Sequence, residues 1–86
     1  MSRPIPTPRD FRIRLGQRVR ELRVASGMTQ AEAASRARVA RSTLCCLEAG
    51  SSTTSVYLLV CVASALGASP IDLIMSVLPN PAPASR

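Results

Sequence analysis

The chain has 86 residues, enough for one small domain and too few for a deep catalytic cleft. Eleven Arg and no Lys stand against five acids, a formal net charge of +6 that suits a polyanion, above all nucleic acid. There is no His, the acids are scattered and no Gly-rich phosphate loop occurs, so no catalytic residues and no cofactor are expected.

The first eight residues hold three prolines and no apolar run. They are expected to form a flexible arm rather than a signal peptide, which places the chain in the cytoplasm. A first helix is predicted over about residues 8–26. Phe11, Leu15, Val19 and Leu22 step by four, four and three along one helix face, with Arg14, Arg18 and Arg20 outside that stripe. Gly27 ends it. Thr29-Gln30-Ala31-Glu32 then has the form of a capping box that opens a short second helix, to about residue 37. Arg38-Val39-Ala40 makes a turn, and a third helix follows over about 41–49. Its Leu44 and Leu47 face inward, with Ser42 and Cys46 on the opposite side, and Gly50 closes it. After the polar run Ser51-Ser52-Thr53-Thr54, a fourth helix is predicted from the N-cap Ser55 to Gly67. A fifth opens with Ser69 as N-cap, Pro70 in the first position and Asp72 in the first turn, and ends near Val77 or Leu78. Residues 79–86 hold three more prolines and read as a disordered tail. The domain proper is therefore placed at 9–78. Phe11 and Tyr57 are the only aromatics, so the core is built of Leu, Val, Ile and Ala, and an all-α fold is expected.

The apolar stretch from Val56 to Leu78 is about long enough to span a bilayer. Gly67-Ala68-Ser69-Pro70 breaks it in the middle and Asp72 would sit in hydrocarbon, so two buried helices are expected instead. The cysteines, Cys45, Cys46 and Cys61, lack the Cys-x-x-Cys spacing of a zinc site and are expected to be reduced thiols without a metal.

In order along the chain stand Leu15-Gly16-Gln17-Arg18-Val19-Arg20-Glu21-Leu22-Arg23, Gly27-Met28-Thr29-Gln30-Ala31-Glu32-Ala33-Ala34, Arg41-Ser42-Thr43-Leu44, Leu47-Glu48-Ala49-Gly50 and Val62-Ala63-Ser64-Ala65-Leu66-Gly67. This ordered set resembles the Cro/phage-repressor type of helix-turn-helix regulators, the Xre family, over most of the chain. The resemblance implies a compact five-helix domain that binds double-stranded DNA, with its third helix in the major groove. It implies that Thr29 and Gln30 contact phosphates, where a helix N-terminus presents free N–H groups. The plain alternative for Gln30 is an exposed helix residue with no partner. Base-reading positions carry over to Arg41, Ser42, Thr43 and Cys46, with Cys45 at the flank. Arg41 either pairs with the O6 and N7 of guanine or grips a phosphate. Ser42 and Cys46 are small, so DNA shape is expected to supply part of the specificity. Arg23 resembles the arginine that pairs with the glutamate before the closing glycine, here Glu48, in a structural brace.

Three positions depart from the family pattern. Arg38 stands at the usual turn glycine, Ala40 lacks the usual Ser or Thr cap, and Cys46 replaces a polar reader. Cys45 and Cys46 are read as two small residues, one near the core and one facing DNA, in preference to a redox switch. The fourth helix is apolar almost all round and the fifth adds Ile71, Ile74, Met75 and Leu78. A lone five-helix unit cannot cover this surface, so a homodimer is expected through Leu58, Ile71, Ile74, Met75 and Leu78, on a palindromic operator. An antitoxin of the same fold, whose apolar helices sequester a partner protein, is the alternative reading.

Overall fold

The computed structural model describes residues 6–52 and 54–78. They form α1 (Pro8–Ala25), α2 (Gln30–Ala37), α3 (Arg41–Ala49), α4 (Val56–Ala65) and α5 (Pro70–Val77), and no strand occurs among them. The expected arm up to residue 5, the expected tail and Thr53 lie outside the described residues.

Local chemistry sets nearly every boundary. The hydroxyls of Thr7, Thr29, Ser55 and Ser69 accept the backbone N–H three residues on, opening α1, α2, α4 and α5. Thr7 and Pro8 belong to α1 as its cap and first residue, inside the segment read as an arm. At the other ends, α1 to α4 close by one device. A left-handed residue follows the helix, its N–H bonds back to the carbonyl three residues earlier, and the next N–H bonds five residues back. Gly27, Gly50 and Gly67 fill that position after α1, α3 and α4, and Arg38 fills it after α2 with φ 59°. Ser26 and Leu66 are C-caps outside their helices, so α1 and α4 end slightly earlier than predicted.

The core takes Leu15 and Val19 from α1, Ala33, Ala34 and Ala37 from α2, and Leu44 and Leu47 from α3. Leu59, Val62 and Ala63 of α4 and Leu73 and Val77 of α5 complete it. Phe11 and Leu22 flank it, which completes the predicted stripe of α1. α1 packs on α3 and α5, and α2 packs on α3 and α4. The alanines of α2 let its neighbours approach closely. No single described helix is long and apolar enough to cross a membrane, and the α4–α5 pair is bent by 106°.

The apolar surface splits in a way that the pattern alone does not reveal. Leu58 and Ile74, expected at a dimer contact, pack against the chain's own core, and Leu78 is half-buried. Ile71 and Met75 are exposed, as are Val56, Tyr57 and Val60 of α4.

Candidate nucleic-acid interface

The third helix is held in place chiefly by the first. A Cβ on Gly16 of α1 would lie 2.4 Å from the carbonyl oxygen of Leu47 and 2.6 Å from that of Glu48. Only glycine permits this approach of α1 to the end of α3. The Arg12 Nε donates to the Gly50 carbonyl at 3.3 Å, and Gly50 itself lies against Ile13.

The Arg23–Glu48 pair braces the same junction. Arg23 Nε donates to Glu48 Oε2 at 2.7 Å and Nη2 to Oε1 at 3.0 Å, a bidentate fork. Nη1 donates to the Met28 carbonyl at 2.9 Å, tying in the loop before α2. The two side chains are only 12% and 4% exposed. Burial pushes the Glu48 carboxyl up. The hydrogen bonds from Arg23 and Gln30, with the charges of Arg23 and Arg20, outweigh it and hold the carboxyl below its ordinary range. The bond to Glu48 in turn raises Arg23, against the effect of its burial.

Gln30 is the third member of this cluster. Its Nε2 donates to Glu48 Oε1 at 3.1 Å, so the side chain has an internal partner. Sequence reasoning missed this bond, because α2 and α3 meet there only once the turn between them is built. Thr29 accepts from the Glu32 N–H at 3.1 Å while its own N–H donates to Glu32 Oε1 at 2.9 Å, so both halves of the capping box form. These bonds hold the Glu32 carboxyl below its usual range.

Arg41, Ser42, Thr43, Cys45 and Cys46 are all exposed on α3. The expectation that one of the cysteines lies near the core is corrected. Leu44 and Leu47 already fill the inward face, and residues 45 and 46 fall outside it on the helical wheel. Ala40 caps α3 with no side-chain hydrogen bond. Two shallow clefts adjoin the helix. One, of about 290 Å³, is lined by Arg20, Arg23, Gln30, Cys45, Glu48 and Ala49. The other, of about 250 Å³, is lined by Gln30, Arg41, Ser42 and Cys45. The start of α2, the start of α3 and one flank of α1 thus share one surface. It offers guanidinium groups, a helix N-terminus and small side chains.

A family model described as a helix-turn-helix domain matches residues 14–73. The restriction-modification controller protein C.AhdI from Aeromonas hydrophila is similar, at 34% identity over 71% of this chain and 92% of that one, with a TM-score of 0.69. The clp gene regulator ClgR from Corynebacterium glutamicum is 36% identical over 86% of this chain and 76% of its own, with a TM-score of 0.75. A hypothetical transcription factor, NHTF, from Neisseria shares the fold at 24% identity, over 86% of this chain and 85% of that one, with a TM-score of 0.72. No curated protein sequence matches this chain.

Proposed function

Because this chain belongs to the Xre-type family of helix-turn-helix transcriptional regulators, we propose that it binds DNA sequence-specifically, as a homodimer on a palindromic operator. The observation that carries this reading is the single surface formed by the exposed face of α3 and the capped start of α2. Arg41, Ser42, Thr43 and Cys46 are exposed there, on a helix that α1 braces from behind. In the proposed complex Arg41 contacts guanine, and Ser42, Thr43 and Cys46 lie against base edges. Thr29 and the N–H groups at the start of α2 meet a phosphate. The Gln30 amide keeps one N–H for that phosphate while the other stays on Glu48.

The dimer draws on Ile71 and Met75, which stand one turn apart and exposed on α5, with the half-buried Leu78 beside them. Val56, Tyr57 and Val60 of α4 extend the apolar surface. A two-fold pair would place two copies of α3 about one DNA turn apart.

In vitro selection of bound DNA by the full chain tests the reading. Enrichment of two inverted half-sites, about 10 base pairs centre to centre, is expected. Arg41→Ala should relax the preference at one position of each half-site. Thr29→Ala should weaken binding to all sequences alike. Recovery of no common sequence, or an Arg41→Ala variant with the full wild-type preference, would count against it.

A further inference from the structure

We propose that Glu48 is a positioning residue for the phosphate contact at the start of α2: its carboxylate holds the Gln30 amide by the nitrogen, so that the amide meets DNA as an already ordered donor. The proposal deepens the DNA-binding reading and rests on it.

The two ends of a glutamine amide are nearly alike in shape and opposite in character. A freely turning amide presents its oxygen to an anion as readily as its nitrogen, and the oxygen is repelled. A carboxylate only accepts, so Gln30 can face Glu48 with Nε2 alone, and it does so at 3.1 Å. One N–H is spent on that bond and the second, on the same nitrogen, is left for the phosphate. A long side chain ordered before DNA arrives also spares binding part of its entropy cost.

The acceptor is itself fixed. Arg23 reaches both carboxylate oxygens, at 2.7 and 3.0 Å, and its remaining nitrogen donates to the Met28 carbonyl at 2.9 Å. The carboxylate thus cannot turn, and its partner is tied to the loop that leads into α2. The fork already satisfies both oxygens of Glu48, so the bond from Gln30 is not needed to keep the buried charge paired. Its consequence falls on Gln30. The Glu48 side chain is 4% exposed and offers DNA almost no surface of its own. A neutral amide at position 48 would lack this selectivity, because it can turn an N–H toward Gln30 and admit the reversed orientation.

The first test is made on the wild-type chain without DNA. After nitrogen-15 labelling, the Gln30 side-chain NH2 signal is identified by its absence from the spectrum of Gln30→Ala. By relaxation it should be as immobile as the α2 backbone. The signal of Gln17, the chain's other glutamine and an exposed one, should be mobile. A Gln30 amide as mobile as that of Gln17 would overturn the proposal. The second test titrates the selected DNA, with affinities corrected for the folded fraction. Gln30→Ala should lose about tenfold in affinity, as expected for one hydrogen bond to a charged group. Glu48→Gln should lose a similar factor, and the double variant little more than either single one. A residue that acted only as a brace for α3 would behave otherwise: Glu48→Gln would then lower affinity by the same factor with and without Gln30. That multiplicative result would also overturn the proposal. Wild-type affinity in Gln30→Ala would remove the phosphate contact itself, and failure of the wild type to bind any DNA would remove the DNA-binding reading. The mobility of the amide is read on protein alone and is independent of both.

Discussion

Glu48 ties three helices of the candidate interface together. Its carboxylate accepts from Arg23 and Gln30, which joins α1 and α2 to the last turn of α3. Removing one member of such a desolvated pair leaves the other charge buried, at about 3 kcal/mol or more. Glu48→Gln should therefore lower the unfolding free energy by that order, read from urea unfolding as a lower midpoint. Because the folded-state carboxyl is held below its ordinary value of 4.5, its contribution is complete above that pH and is lost as pH falls through the folded value. Glu32 adds in the same direction. An acid titration of stability should thus be steeper below about pH 4.5 in the wild type than in Glu48→Gln, and superimposable curves would refute the assignment. The pairing of Arg23 with Glu48 was legible only as something the family resemblance implies, and the bidentate fork forms. Gln30 was read as a phosphate ligand, because nothing in a linear pattern tells that its amide comes within reach of residue 48. Arg38 was legible as an oddity, and the backbone explains it. It holds the left-handed position that glycine holds after three other helices. A side chain there costs about 1–2 kcal/mol, partly offset by the greater chain entropy that glycine loses on folding. Arg38→Gly should raise stability by about 0.5–1 kcal/mol. A lower thermal midpoint would show that the Arg38 side chain has a compensating contact.

Among the helices, α3 is the one whose start is least secured. Four of five helices open on a hydroxyl cap, and α3 opens on Ala40. Ala40→Ser should add about 1 kcal/mol, read as a rise in melting temperature. No gain would mean that the backbone at residue 40 cannot offer its side chain to the first turn. Caps are short-range, which is why those of α2, α4 and α5 could be read directly. The same logic applies to Thr7-Pro8-Arg9-Asp10, yet the prolines up to residue 8 put Thr7 in the expected arm, and its cap was not read. Pro8 in fact occupies the first helical position, where its missing N–H costs nothing. Gly16 is the opposite case. Its glycine serves a backbone that arrives from thirty residues away, so no local signal marks it. A methyl group there would meet the Leu47 carbonyl at 2.4 Å and force α1 and α3 apart. Gly16→Ala should cost about 2 kcal/mol or more and weaken DNA binding more than its stability loss accounts for, as the brace behind α3 shifts.

For the molecule as a whole, the five-helix order and the two-helix device were readable, because each rests on caps, glycines and a 3.6-residue period. The sides of α4 and α5 that face outward were not. Where a helix is apolar all round, periodicity cannot say which stripe meets the chain's own core, and it did not show that Leu58 and Ile74 pack there. The exposed pair Ile71 and Met75 now gives the proposed dimer a sharper test. Neither side chain is part of the core, so Ile71→Glu with Met75→Glu should leave helix content and melting of the monomer nearly unchanged. Two like charges brought across a two-fold axis should prevent association, and sedimentation should then report one chain. With each half-site bound independently, the advantage of linked binding is lost. Affinity for the full operator should fall on the order of 100-fold, while affinity for an isolated half-site stays the same. The slope of log affinity against log salt should also fall to about half, since half as many phosphates are neutralised per binding event. Undiminished operator affinity in the charged variant, or a wild-type protein that sediments as a single chain at the concentrations where it binds, would show that α5 does not make the pair.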